Sequence, residues 1–203
     1  MFIYYYGFDL IFILTLIITL GAQAFISGKY ASTRRIRTKK GMTGASVARK
    51  ILDSNGLSNV TVREVSGELS DHYDPRSKTV NLSSDIYNGS SIASASVASH
   101  ECGHAIQDKE GYLFLRIRSS IVPLVNFSSY AGYFAILIGL IFSLMDLVFI
   151  GIIFEVVILA FQIITLPVEF NASHRALVQL KQLDIVDGSE HSKCRGMLIA
   201  AAL

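Results

Sequence analysis

The sequence predicts an α+β, mainly helical protein in which a membrane anchor and a membrane hairpin flank a water-exposed segment. Three observations carry this expectation. Of 203 residues, 51% are hydrophobic and only 17% charged, and the mean hydropathy of +0.46 is high for a freely soluble domain. The apolar excess is gathered into three windows, each long enough to cross a hydrocarbon core of about 30 Å as a helix. All 18 Lys and Arg fall between Lys29 and Arg118 or from Arg175 onward. A net charge of +2 is too small to suggest a nucleic-acid partner. Cys102 and Cys194 lie far apart with no ladder of spacings, which disfavours a disulfide-stapled secreted module.

The first window, Leu10 to Gly28, carries no charge, so residues 1–28 read as an N-terminal transmembrane anchor. Ala22-Gln23-Ala24 has the look of a signal cleavage site, but nothing before it is basic and six basic residues follow, from Lys29 to Lys40. Those flanks are reversed for a secretory signal. Because Lys and Arg resist translocation, the N-terminus belongs outside and the basic flank in the cytosol.

Residues 29–118 have the composition of an ordinary soluble domain and form the expected cytosolic catalytic segment. Ala45 to Leu52 follows the Gly41 to Gly44 break as a short amphipathic helix, and Asp53-Ser54-Asn55-Gly56 closes it. Val60 to Val65 alternates as a strand; a turn at Asp74-Pro75 leads to a second β-type run at Lys78 to Leu82. The Ser/Ala-rich run from about Ser91 to Lys109 reads as a helix that ends near Gly111.

Residues 119–168 contain no Lys or Arg and suffice for two crossings, about Phe127 to Leu144 and Val148 to Leu166, with the turn at Met145-Asp146. Such a hairpin returns the chain to the cytosolic side. Tyr130 and Tyr133 suit an interfacial position. Glu155, well inside the second crossing, is costly unless it is neutral, paired or turned toward another helix. Residues 169–203 then hold a cytosolic helix, Glu169 to Leu180, and the start of an apolar one at Gly196 to Leu203; Pro167 suits a break at the membrane surface.

His100-Glu101-Cys102-Gly103-His104 carries most of the functional information. Residues i and i+4 share a helix face, so His100 and His104 can offer two imidazoles to one Zn²⁺ at about 2.0–2.1 Å. Glu101, beside the first of them, can take a proton from an activated water without binding the metal. Cys102 points about 200° away from His100 and reads as a packed residue. Gly103 inside a helix costs up to about 1 kcal/mol relative to Ala, which makes sense where another backbone or a substrate passes close. A catalytic zinc needs a third protein ligand. Glu169 is the strongest candidate because the hairpin returns it to the same side; His174 points about 140° away from it on the same helix. The bland alternatives are two unrelated surface histidines and a glutamate that merely complements the helix dipole.

The pairing of SHECGHAIQ with LPVEFNASHRAL, together with an N-terminal anchor and a hydrophobic hairpin, resembles the membrane-associated neutral zinc metallopeptidases of the YugP type. That resemblance covers nearly the whole chain. It implies a gluzincin-like fold distantly similar to the HtpX and CAAX-prenyl-protease group, with His100, His104 and Glu169 as zinc ligands and Glu101 as general base. It also implies a strand beside the active-site helix that pairs with substrate backbone, here Lys78 to Leu82, and a C-terminal hydrophobic helix continuing from Gly196. Many gluzincins carry an aspartate four residues after the glutamate ligand; Ser173 stands there instead.

The expected function is therefore that of a membrane-bound zinc endopeptidase acting on a peptide or protein substrate beside the lipid bilayer, with Zn²⁺ as cofactor and the active site on the cytosolic side. The alternative is a catalytically silent zinc-binding membrane scaffold or partner-binding protein, which would have no need of Glu101. A deformylase-like hydrolase is disfavoured because its cysteine ligand comes from a Gly-Cys loop and Cys194 lies in Lys-Cys-Arg. The oxyanion donor is open between His72, His174 and Arg175.

Overall fold

The computed structural model describes residues 2–202. In chain order the elements are α1 (Phe2–Arg34), α2 (Gly44–Ser54), β1 (Thr61–Val65), β2 (His72–Asp74), β3 (Thr79–Ser83), α3 (Ser84–Asn88), α4 (Ile92–Lys109), α5 (Leu113–Ile141), α6 (Met145–Gln182) and α7 (Gly188–Ala201). The architecture is mainly helical with one small sheet, as the sequence predicts.

Helix α4 is the axle of the water-exposed part. Ser91 caps it, accepting a hydrogen bond from the Ser94 amide at 3.1 Å, and its Ala/Ser-rich sequence presents little bulk on any side. Small residues let neighbours approach all round, so even its serines are buried: Ser96 and Ser99 return their hydroxyls to the carbonyls of Ile92 and Ser96. Helix α2, capped by Thr43, lays Val47, Ile51 and Leu52 against this axle, and Gly56 turns the chain away in the left-handed region at φ +65°. Val80 and Leu82 of β3 and Ile86 of α3 complete the core beside α2 and α4.

The sheet corrects one expectation. Its order is β1-β3-β2, with β1 parallel and β2 antiparallel to β3. The Lys78 to Leu82 run is thus the central strand, with both edges already paired, and the edge strand is β2. Three residues are too few for an alternation to be read, so β2 was hidden between the turn residues around it. It is held in place by Asp71, whose carboxylate accepts from the Ser83 amide at 2.7 Å, and by Tyr73, whose hydroxyl donates to Asp108 of α4 at 2.7 Å.

Helices spanning Ile13–Arg34, Leu113–Ile141 and Met145–Gln182 are long and apolar enough to cross a membrane. α5 and α6 form the hairpin, turning at residues 142–144 just ahead of the expected position. Their axes meet through glycines: a Cβ added to Gly151 would lie 3.0 Å from the Gly132 carbonyl oxygen, and one on Gly139 would lie 2.9 Å from the Val148 nitrogen. Large apolar side chains such as Phe127, Phe149 and Ile153 point outward and are exposed. Glu155 is turned toward α5, with Oε1 3.5 Å from where a Gly132 Cβ would stand.

Pro167 does not break the chain. α6 runs through it, 38 residues in all, because the loss of one amide donor is tolerated when the segment beyond is held by packing, here against α4 and α7. The metal-ligand candidate and the apolar crossing consequently share one helix. Beyond it, α7 starts with a capping box between Asp187 and Glu190. Buried Glu190 also accepts from the Lys39 amide at 2.7 Å, joining α7 to the chain that leaves α1.

Candidate metal centre and catalytic cleft

The centre lies where α4 crosses α6. A Cβ on Gly103 would stand 2.5 Å from the Ala172 carbonyl oxygen, far inside contact distance, so glycine is the residue that lets the two backbones touch. His100 and His104 flank this crossing on one helix, and Glu169 lies one turn before Ala172 on the other. His100 Nε2 is 3.1 Å and His104 Nε2 3.5 Å from the same oxygen, Glu169 Oε2. The three ligand atoms all lie within 4.8 Å of one another. The imidazoles stand edge to face, with centroids 4.8 Å apart.

The hydrogen bonds behind the rings decide which nitrogen faces the centre. Arg175 can only donate, so the Asn171 atom it meets at 2.7 Å is the carbonyl oxygen. That oxygen and the Val168 carbonyl accept from Gln107 Nε2 at 3.0 and 2.9 Å. Both amide hydrogens of Gln107 are thereby used, its Oε1 faces His104, and His104 Nδ1 must be the donor at 3.0 Å. The same logic holds for His100: Ser173 directs its hydroxyl to the Leu198 carbonyl at 3.4 Å and accepts from Nδ1 at 3.1 Å. With Nδ1 committed as a donor in each ring, Nε2 is the nitrogen turned toward Glu169, and a neutral imidazole would offer its lone pair there, the tautomer a metal ligand needs. Ser173 fills the position where an aspartate is common, and a hydroxyl serves the same orientation.

Charge agrees with geometry. Burial works against a charged His104, but its hydrogen bond to Glu169 and the charge of Glu101 outweigh it, and the pKa is raised above the ordinary histidine value. The pocket is one that stabilises positive charge. Two imidazole nitrogens and one carboxylate form the donor set of a catalytic zinc site with an open fourth position, and the residues fit that ion.

Glu101, also buried, lines the cleft in front of these ligands, a cavity of about 250 Å³. His72, Tyr73 and Arg118 face it from the sheet and from the start of α5. The structure thus brings together His100, Glu101, His104 and Glu169. Of the three oxyanion candidates, only His72 reaches the cleft, and its ring is occupied: Nδ1 donates to the Ser70 carbonyl at 2.8 Å and Nε2 meets the Asn81 amide at 3.1 Å. His174 and Arg175 line a separate recess with Asn55, and Arg175 is bound to Glu110 at 2.6 Å. Sequence reasoning passed over Arg118, whose Nη1 is 3.9 Å from Glu169 Oε1 and whose buried Nε has no hydrogen-bond partner among the described residues. It also passed over Gln107, although its spacing of three from His104 places it on the ligand face. Cys102 is wholly buried on the far side of α4, its Sγ 3.6 Å from the Ala48 carbonyl, and burial pushes its thiol pKa up.

The comparisons with known proteins point the same way. A family described as "Putative neutral zinc metallopeptidase" matches residues 8–203. The chain is 41% identical over 198 residues to "Putative membrane protease YugP" of Bacillus subtilis (strain 168), an alignment covering 96% of this chain and 88% of that protein. No solved structure matches.

Proposed function

The chain belongs to the neutral zinc metallopeptidase family that it matches over residues 8–203, and from that premise we propose that it is a membrane-bound endopeptidase in which His100, His104 and Glu169 hold zinc and Glu101 is the general base. The observation that carries this reading is the convergence of two correctly oriented imidazoles and one carboxylate on a common point, with Glu101 in the same cleft. Zinc bound there would supply Lewis acidity, activating a water and polarising the scissile carbonyl.

The rest of the work falls to the chain. Glu101 takes the proton of the attacking water and passes it to the leaving nitrogen, and its burial keeps that proton from bulk solvent. Ser173 and Gln107 hold the histidine rings so that neither can rotate during turnover. Arg118, whose buried Nε has no hydrogen-bond partner among the described residues, offers a donor to the carbonyl oxygen as charge develops on it. An extended substrate adds to the outer edge of β2, whose His72 and Tyr73 line the cleft.

Detergent-purified protein should contain zinc and cleave an unstructured polypeptide, and a chelator should abolish cleavage. Glu101→Gln should keep its zinc and lose roughly 10²- to 10⁴-fold in turnover, since it removes a proton shuttle and no ligand. Zinc without cleavage by the parent protein would favour a silent zinc-binding scaffold instead.

The active site belongs on the cytosolic side, because the basic residues flank the spans there. Cysteine at exposed Asp146, in a background lacking Cys102 and Cys194, should react with an impermeant thiol reagent on intact cells, whereas cysteine at exposed Arg35 should react only after permeabilisation. Labelling of both from one side would break the hairpin topology.

A further inference from the structure

Behind Glu101, away from the cleft that holds the ligands, lies a larger cavity of about 460 Å³. Its wall is built by Ile26 of α1, Leu69 of the β1–β2 loop, Val97 of α4 and Met197 of α7. His100, Glu101 and Asp71 line both cavities, so the two meet at the general base. Such a volume falls in the range of about 300–1,000 Å³ typical of ligand sites.

Two features say what fits it. Val97 and Glu101 are four residues apart on α4 and share a face, one above the other by about 6 Å. A side chain resting on Val97 therefore places its own backbone beside Glu101. The charged residues that line the cavity are Glu68, Asp71 and Glu101, with no Lys or Arg among them. A ligand with a carboxylate or phosphate finds no cation in that lining to pair with, since Arg34 beside it is already bound to Glu68 at 2.8 Å; this argues against a fatty acid or an anionic lipid, and a neutral apolar group is accepted.

We propose that this cavity receives a large apolar side chain, such as Phe or Leu, of the substrate residue adjoining the scissile bond. The assignment rests on the peptidase reading. Leu69 makes it testable without disturbing the core: it is 67% exposed at the lip and sits at φ +57°, a conformation that aspartate tolerates.

The test uses full-length, zinc-loaded protein in detergent and an unstructured peptide carrying one p-benzoylphenylalanine, photolysed with the Glu101→Gln variant. The adduct should map to the segments around Leu69, Val97 and Met197. A peptide with central Phe should suppress it and the same peptide with central Asp should not. Leu69→Asp and Val97→Trp, each checked for retained zinc, should lower adduct yield at least about tenfold, and the parent enzyme should cleave the Phe peptide over the Asp peptide by about the same factor or more. An adduct mapping elsewhere, retained yield in both variants, or displacement by added phospholipid but not by the Phe peptide would overturn the assignment. The expected adduct without any cleavage would overturn the peptidase reading instead. Cleavage without the adduct would overturn the cavity's role alone.

Discussion

The two halves of α6 are one helix held by different forces. From Val168 to Arg175 nearly every polar group is engaged: Gln107 holds the Val168 carbonyl, and Asn171, Ser173 and Arg175 are hydrogen-bonded in turn. From Met145 to Leu166 the contacts with α5 are steric, set by Gly132, Gly139 and Gly151, while the other faces display apolar side chains. In the first region position is fixed by directional bonds, which tolerate no missing partner. In the second it is fixed by the absence of side chains, which tolerates no added one. Damage to one half should leave the other standing, since residues far apart with no shared partners act independently.

The strongest test of that separation is Glu169→Ala. Two imidazoles alone make a weak zinc site, so metal content by elemental analysis should fall to background and cleavage with it, while helix content by circular dichroism stays unchanged. Full metal occupancy in this variant would place the third ligand elsewhere. Gln107→Leu should act more gently. It leaves the ligand set complete but releases the His104 tautomer, and zinc affinity in a competition titration should weaken roughly 10- to 100-fold. An unchanged affinity would mean that packing, and not the hydrogen bond, orients the ring. The smallest effect is expected in the hairpin. Gly151→Leu forces α5 and α6 apart and should cost about 1–3 kcal/mol in thermal unfolding, with zinc affinity as in the parent. Loss of zinc in that variant would show that the two halves are mechanically coupled after all.

The four central residues were legible because their information is local or topological. The i, i+4 spacing of His100 and His104 survives any packing of the helix that carries it. Glu169 followed from counting crossings. What sequence could not show depends on partners many residues away. Gln107 matters because Val168 and Asn171 arrive beside it from α6, and no pattern within α4 announces that. Arg118 is read as the last cation before an apolar run until the fold turns it toward Glu169. The strand order was illegible for a related reason: β2 is three residues long, and pairing with β3 through His72 to Asn81 is a tertiary fact. Pro167 misled because a local rule for helix interiors was outweighed by packing further along.

The contact between Gly103 and the Ala172 carbonyl also has a thermodynamic consequence. Bringing ligands from two helices to one point costs conformational entropy, and in a flexible site that cost is subtracted from the affinity for the ion. At the proposed zinc site the approach is set by main chain against main chain, so the ordering would be completed by folding itself and be missing from the binding step. A methyl group at position 103 would reverse this, because each binding event would then work against a crossing that prefers to stand open.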